Sequence, residues 1–190
     1  MSGSYGSSVG GAFSWMPTRL PAAIETKQPQ WFAVRTRYRF EKRVVAQLKH
    51  KSCEAYLPLR TEHHTWSDRQ REVTIPLFPG YAFVQIDQSP ASWQNVLQTA
   101  GLIGFVSFGG AVSIVPPKQI EDLQLLLRKK GLFSLHAFVR DGQRVRIRGG
   151  CLKGLEGVLL QHENGKLLIS IESVQRSLAI EIQGYELELV

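Results

Sequence analysis

The sequence predicts an α+β protein in two units: an N-terminal antiparallel sheet flanked by helices, then a small C-terminal five-stranded β-barrel. Two observations carry this. Between residues 30 and 130, strand-like runs alternate with amphipathic helical patterns. From residue 141 onward the apolar period falls to two, and five short strands fit into the segment 141–190.

Residues 1–29 are rich in Gly, Ser and Pro without a sustained period and read as a tail. WFAVRT, from Trp31, is a strand. In FEKRVVAQLKH, Phe40, Val44, Val45 and Leu48 form one apolar stripe, and Lys42, Arg43, Gln47 and Lys49 take the opposite face. EAYLPL is a strand that Pro58 confines to an edge or an end. TEHHTWSDRQRE is polar and reads as a long hairpin arm. Its adjacent His63 and His64 point apart on a strand and make no two-histidine metal pair.

PLFPGYAFVQ follows, a Pro-Gly corner and then a strand. Alternation puts Tyr81 and Phe83 on one face and Ala82, Val84 and Ile86, the better core material, on the other. SPASWQNVLQTAG is a short helix ended by Gly101. GFVSFGG and AVSIVP are short strands around Gly109-Gly110. PKQIEDLQLLLRKK opens on Pro117 and sets Ile120, Leu123, Leu126 and Leu127 on one face.

Residues 131–140 read as a connector. The barrel strands are RVRIRG, GVLLQ, KLLISIE, RSLAIEI and YELELV, with ENGK as a hairpin signal between the second and third. Gly149, Gly150, Gly154, Gly157 and Gly165 suit turns and would each weaken a helix by nearly ~1 kcal/mol.

Charge narrows the function. The net +7 is concentrated in residues 30–130, which hold fourteen Lys/Arg against eight Asp/Glu, whereas residues 131–190 are balanced at seven each. Arg35, Arg37, Arg39, Lys42, Arg43, Lys49 and Lys51 lie in one short block with Glu41 as its only acid. Such a block can neutralise phosphates, or it can be a solvated helix face. Cys53 and Cys151 are too few for a disulfide framework or a zinc site, so two reduced thiols in a cytoplasmic protein are expected. No basic, apolar signal peptide opens the chain, and no apolar run approaches membrane-spanning length. Nucleophile-elbow, P-loop, zinc and dinucleotide spacings are all missing. The expectation is no enzyme, no metal and no cofactor.

Trp31-Phe32 opening a strand, the basic helix, PLFPGYAFVQ and TAGLIGFVSFGGAVSIVP together resemble the N-terminal (NGN) domain of the NusG family. DGQRVRIRGGCLKGLEGVLLQ resembles the KOW motif that opens the family's C-terminal SH3-like barrel. The resemblance spans residues 31–190, with an NGN domain at 30–130, a linker at 131–140 and a KOW domain at 141–190. VQRSLAIEI and PLFPGYAFVQID resemble the specialised UpxY and RfaH type more than the housekeeping member.

The resemblance implies a monomeric bacterial transcription elongation and antitermination factor. Its NGN domain would sit on RNA polymerase between the β′ clamp helices and the β gate loop. Tyr81, Phe83, Phe108 and Ile120 would form an exposed apolar patch for the clamp helices. The alternative is that both strand aromatics lie beneath a helix or the second domain. Ser92, Trp93 and Gln94 take the place of a His-Thr-Thr gate-loop contact, a pattern this sequence lacks, and Trp93 reads equally as a core aromatic. Arg37, Arg43, Gln47, Lys51 and Thr99, with Arg39 beside them, match positions that touch the non-template DNA strand. Arg35 reads instead as a strand residue with a structural partner. Leu152, Leu155 and Arg176 are the candidates on the KOW barrel for a further partner, Rho or a small-subunit ribosomal protein, and Leu155 could equally plug the barrel. The five glycines and the alternation argue against refolding of this domain into a helical hairpin. The rival function is a ribosome- or RNA-associated KOW protein that never meets polymerase.

Overall fold

A computed structural model describes residues 28–66, 69–128, 133–137, 142–159, 166–182 and 185–190. The N-terminal tail expected at 1–29, the Asn164-Gly165 turn and the side chains of His63 and His64 lie wholly or mainly outside the described residues.

The N-terminal unit runs β1 (Gln30–Thr36), α1 (Glu41–His50), β2 (Glu54–Tyr56), β3 (Leu59–Trp66), β4 (Arg69–Pro76), β5 (Tyr81–Ile86) and α2 (Pro90–Leu97). It continues with β6 (Leu102–Phe105), β7 (Ser107–Phe108), β8 (Ala111–Val112), β9 (Ile114–Val115) and α3 (Pro117–Arg128). The sheet has the order β2-β5-β1-β6, with β9 also paired to β1. All its pairs are antiparallel, and Ala33 faces Phe83 across the centre. β3 and β4 form the expected hairpin arm, which Lys42 Nζ ties to α1 by donating to the Thr74 carbonyl at 2.7 Å.

The stripe expected on α1 is buried at Val44, Val45 and Leu48. It packs on Phe32, Val34, Ala82, Val84 and Ile86, the even face of β1 and β5. α2 is capped by Ser89, whose hydroxyl accepts from the Ser92 amide at 3.2 Å. The Pro-Gly corner before β5 is pinned twice. The buried Glu41 carboxylate accepts from the Gly80 amide at 2.8 Å, and the Gly80 carbonyl accepts from the Thr36 amide at 2.8 Å. Gly80 takes φ +83°, a left-handed conformation in which a β-carbon is strained.

The C-terminal unit contains β10 (Phe133–Ala137), β11 (Gln143–Ile147), β12 (Glu156–Leu159), β13 (Lys166–Ile171), β14 (Arg176–Glu181) and β15 (Leu187–Leu189). Their order is β10-β14-β13-β12-β11-β15. The five expected strands are present, and a sixth comes from the stretch read as a connector. Phe133–Ala137 pairs antiparallel with β14 as an edge strand, which satisfies the backbone groups on that side. Alternating side chains from β11, β13 and β14, including Val145, Ile147, Leu167, Ile169, Leu178 and Ile180, fill the interior. Arg146 bridges its strand neighbours, to Glu156 at 2.6 Å and Glu188 at 3.5 Å.

Candidate functional site

Two surfaces of the N-terminal unit carry the residues of interest, and they differ in kind. The first is the odd face of β1 and β5. Trp31, Ala33, Phe83, Ile120, Leu123 and Leu126 belong to one apolar cluster, and that cluster continues into the C-terminal unit through Val145, Leu155, Leu167 and Val174. Phe83 is fully buried and Ile120 nearly so, Tyr81 is half-buried, and only Phe108 is exposed, at 45%. The exposed patch expected from sequence is therefore covered. Alternation divides the side chains as anticipated, but α3 and the C-terminal unit lie over the second face as well. The signal was the unbroken apolar character of WFAV and YAFV, which suits strands covered on both sides.

Polar contacts hold this cover in place. Lys118 Nζ donates to the Gly154 carbonyl at 2.7 Å and pairs with Asp122 on the same helix. The Asp122 carboxylate also accepts from the Glu156 amide. Its burial pushes the carboxyl above the usual Asp value, opposed by the bond and charge of Lys118. A second cleft sets Arg35, Tyr81 and Phe108 opposite Ser173, Val174 and Gln175. Arg35 is a β1 strand residue, as read, but its side chain is exposed in that cleft and not enclosed with the structural partner expected.

The second surface is built on the turn from β1 to α1. The Arg37 amide donates to the Gly101 carbonyl at 2.8 Å, and the Arg37 carbonyl accepts from the Phe40 amide at 3.0 Å. The turn is thus held at both ends. Gly101 stands at φ +92°, where an added β-carbon would meet the Phe40 ring at 2.7 Å. Arg37, Arg39 and Arg43 are exposed, and among the described residues none of the three is drawn into an ion pair.

Gln47, Lys51 and Thr99 behave differently from the expectation. Lys51 Nζ donates to the Asn95 carbonyl at 2.7 Å and to Thr99 Oγ1 at 3.1 Å, and Thr99 is buried. Gln47 Nε2 donates to the Ala100 carbonyl at 3.1 Å. These three side chains join α1 to the end of α2 because the carbonyls freed there need donors. The candidate nucleic-acid face therefore reduces to the three arginines, with the Thr99 hydroxyl turned inward.

Other expected contacts shift for the same reason, burial. Trp93 is 5% exposed and packs on Phe32 and Phe105, with ring centroids at 5.0 and 4.2 Å. It is a core aromatic, so of the gate-loop trio only Ser92 and Gln94 reach the surface. Leu152 and Leu155 are both buried in the shared cluster, Leu155 completely. Of the KOW candidates only Arg176, in β14, is exposed. Among the described residues, no three His, Cys, Asp or Glu side chains are grouped to hold a metal.

A family profile described as "Transcription termination factor nusG" matches residues 29–124, half of the chain. The chain belongs to the NusG family. Similar proteins include the transcription termination/antitermination protein NusG of Lactococcus lactis, 26% identical over 170 residues, covering 83% of this chain and 91% of that one. The NusG of Staphylococcus carnosus is 25% identical over 178 residues, covering 86% and 97%. A solved structure described as a domain interaction in Thermotoga maritima NusG aligns over 86% of this chain and 98% of that one, at 20% identity and a TM-score of 0.49.

This NusG-family chain is a termination/antitermination factor of transcription and not an enzyme. Its α+β architecture, a sheet with helices followed by an antiparallel C-terminal unit, is that of the NGN and KOW pair. The relatives carry the general NusG name, so the assignment stands at the level of the family and not of the UpxY or RfaH type.

Proposed function

We propose that this chain binds bacterial RNA polymerase in the cytoplasm through the odd face of its NGN sheet, and that the KOW unit must swing off for it to do so. Tyr81, Phe83, Phe108 and Ile120 then meet the β′ clamp helices, and Ser92 and Gln94 face the β gate loop. Arg37, Arg39 and Arg43 hold the phosphates of the non-template strand, and pausing and termination are suppressed. The released KOW unit recruits a further partner, Rho or a small-subunit ribosomal protein, with Arg176 on its accessible side. The observation that carries this reading is the contrast between cations. Arg37 and Arg39 of the β1–α1 turn and Arg43 of α1 are exposed without ion pairs among the described residues, while Arg146 of the KOW unit is spent on Glu156 and Glu188. Exposed arginines on the NGN unit, and a C-terminal segment 131–190 whose seven Lys/Arg are balanced by seven Asp/Glu, fit nucleic-acid contact by the former.

The test is binding of the purified chain to reconstituted elongation complexes, with and without an exposed non-template strand. Binding that requires the bubble, and that Arg37→Ala with Arg43→Ala weakens, supports the whole reading. Bubble-independent binding removes the DNA role and keeps the polymerase face. Absence of binding, even when the junction at Lys118 is loosened, turns the reading to the RNA-associated alternative.

A further inference from the structure

Tyr38 stands in the turn between β1 and α1. Its side chain is 69% exposed, the most exposed aromatic among the described residues. A lone surface aromatic needs no explanation by itself. This one has three further features. It lies between Arg37 and Arg39, both exposed. Its turn is fixed at both ends by the Arg37 amide to Gly101 and the Phe40 amide to Arg37. Arg39, a residue with a β-carbon, is held at φ +65°, a left-handed conformation that glycine would occupy without strain. That conformation sets the Arg39 guanidinium carbon 5.5 Å from the centre of the Tyr38 ring.

A solvent-facing ring on a pinned turn, with a cation at its face and another beside it, has the makeup of a stacking platform for single-stranded nucleic acid. We propose that Tyr38 stacks an unpaired base of single-stranded DNA while Arg37 and Arg39 hold the neighbouring phosphates. This deepens the DNA-contact reading of the basic face and rests on it. Stacking tolerates every base, so Tyr38 adds affinity for unpaired bases without reading sequence. The strain at Arg39 keeps a cation on the ring where a glycine would leave it bare.

The experiment titrates the full chain into short single-stranded DNA carrying 2-aminopurine, whose fluorescence is quenched by stacking, and into a matched strand with abasic sites. Tyr38→Ala is expected to weaken binding to the intact strand about tenfold. It should also abolish the quenching and leave the salt dependence unchanged. Tyr38→Phe should keep both affinity and quenching. On the abasic strand, wild type and Tyr38→Ala should bind alike, whereas Arg37→Ala should lower affinity and salt slope on both strands. Arg39→Gly should melt at a higher temperature yet bind the intact strand more weakly. If Tyr38→Ala retains affinity and quenching while Arg37→Ala weakens binding, the stacking role is overturned and the DNA face stands. If wild type binds neither strand at low salt, or neither substitution has an effect, both fall.

Discussion

Lys118 reaches from α3 to the carbonyl oxygen of Gly154, 2.7 Å away, and so joins the NGN helix to the loop between the first two strands read in the KOW unit. Its ammonium also pairs with Asp122, one helical turn on. Because 40% of the lysine side chain remains in contact with solvent, the bond to Gly154 contributes about 1 kcal/mol, below the range for enclosed charged donors. Lys118→Ala is therefore expected to raise the opened population and the affinity for elongation complexes roughly fivefold. Titration of those complexes with both proteins checks it, and equal affinities would remove the contact from the closing mechanism.

Asp122 sets a pH dependence. Burial raises its pKa above the ordinary Asp value despite Lys118. The folded chain thus holds this proton more readily than the unfolded one. Its contribution to stability is fully present below the ordinary Asp value and is lost as pH rises through the raised one. Asp87 acts oppositely: hydrogen bonds from Ser89 and Ser92 lower its pKa, so its contribution is lost as pH falls. Urea melts of wild type against Asp122→Asn, over pH values from the ordinary Asp range upward, isolate the first effect. The variant is expected to lose the decline with rising pH.

Phe83→Ala removes a ring with no solvent exposure, stacked on Tyr56 with centroids 6.4 Å apart. It should cost about 3–5 kcal/mol and is expected to unfold part of the population. Phe108→Ala, at a position 45% exposed, should leave the melting temperature nearly unchanged. Of the two, only Phe108→Ala tests polymerase binding without confounding it with folding. Thermal melts read beside the binding titration separate the two effects.

Thr99→Val takes away an acceptor of the Lys51 ammonium, leaving it the Asn95 carbonyl. A stability loss of about 1 kcal/mol is expected. Affinity for single-stranded DNA should stay the same, in contrast to Arg37→Ala. A drop in affinity without a drop in melting temperature would return Thr99 to the nucleic-acid face.

Much of the fold was legible because its signals are local. The stripe through Val44, Val45 and Leu48, the Gly101 helix stop and the alternation from Ile147 to Ile180 each depend on neighbours a few residues away. The Pro-Gly corner was equally plain, although its lock, Glu41 on the Gly80 amide, joins positions far apart in sequence. The candidate site was less legible because exposure is a tertiary property. Position-matching proposed Arg37, Arg43, Gln47, Lys51 and Thr99, with Arg39 beside them, but could not show that Lys51 is spent on Asn95 and Thr99, or that Phe83 has a roof. Phe133–Ala137 escaped although Phe133, Leu135 and Ala137 alternate with Ser134 and His136, because five residues beside Gly131 are a weak signal until β14 stands next to them.

The cover over Phe83 and Ile120 also changes what an affinity measurement means. A barrel tethered to its own binding face is a competitor at the effective concentration set by its short connection, which is on the order of millimolar for such links. Any partner for that face meets the chain mostly occupied, and its apparent dissociation constant is the intrinsic one divided by the open fraction. Raising the concentration of the protein leaves the open fraction unchanged, because the closure is intramolecular. On the proposed reading, a signal that first held the arginines to DNA would supply the missing term, by turning the second encounter into an intramolecular one.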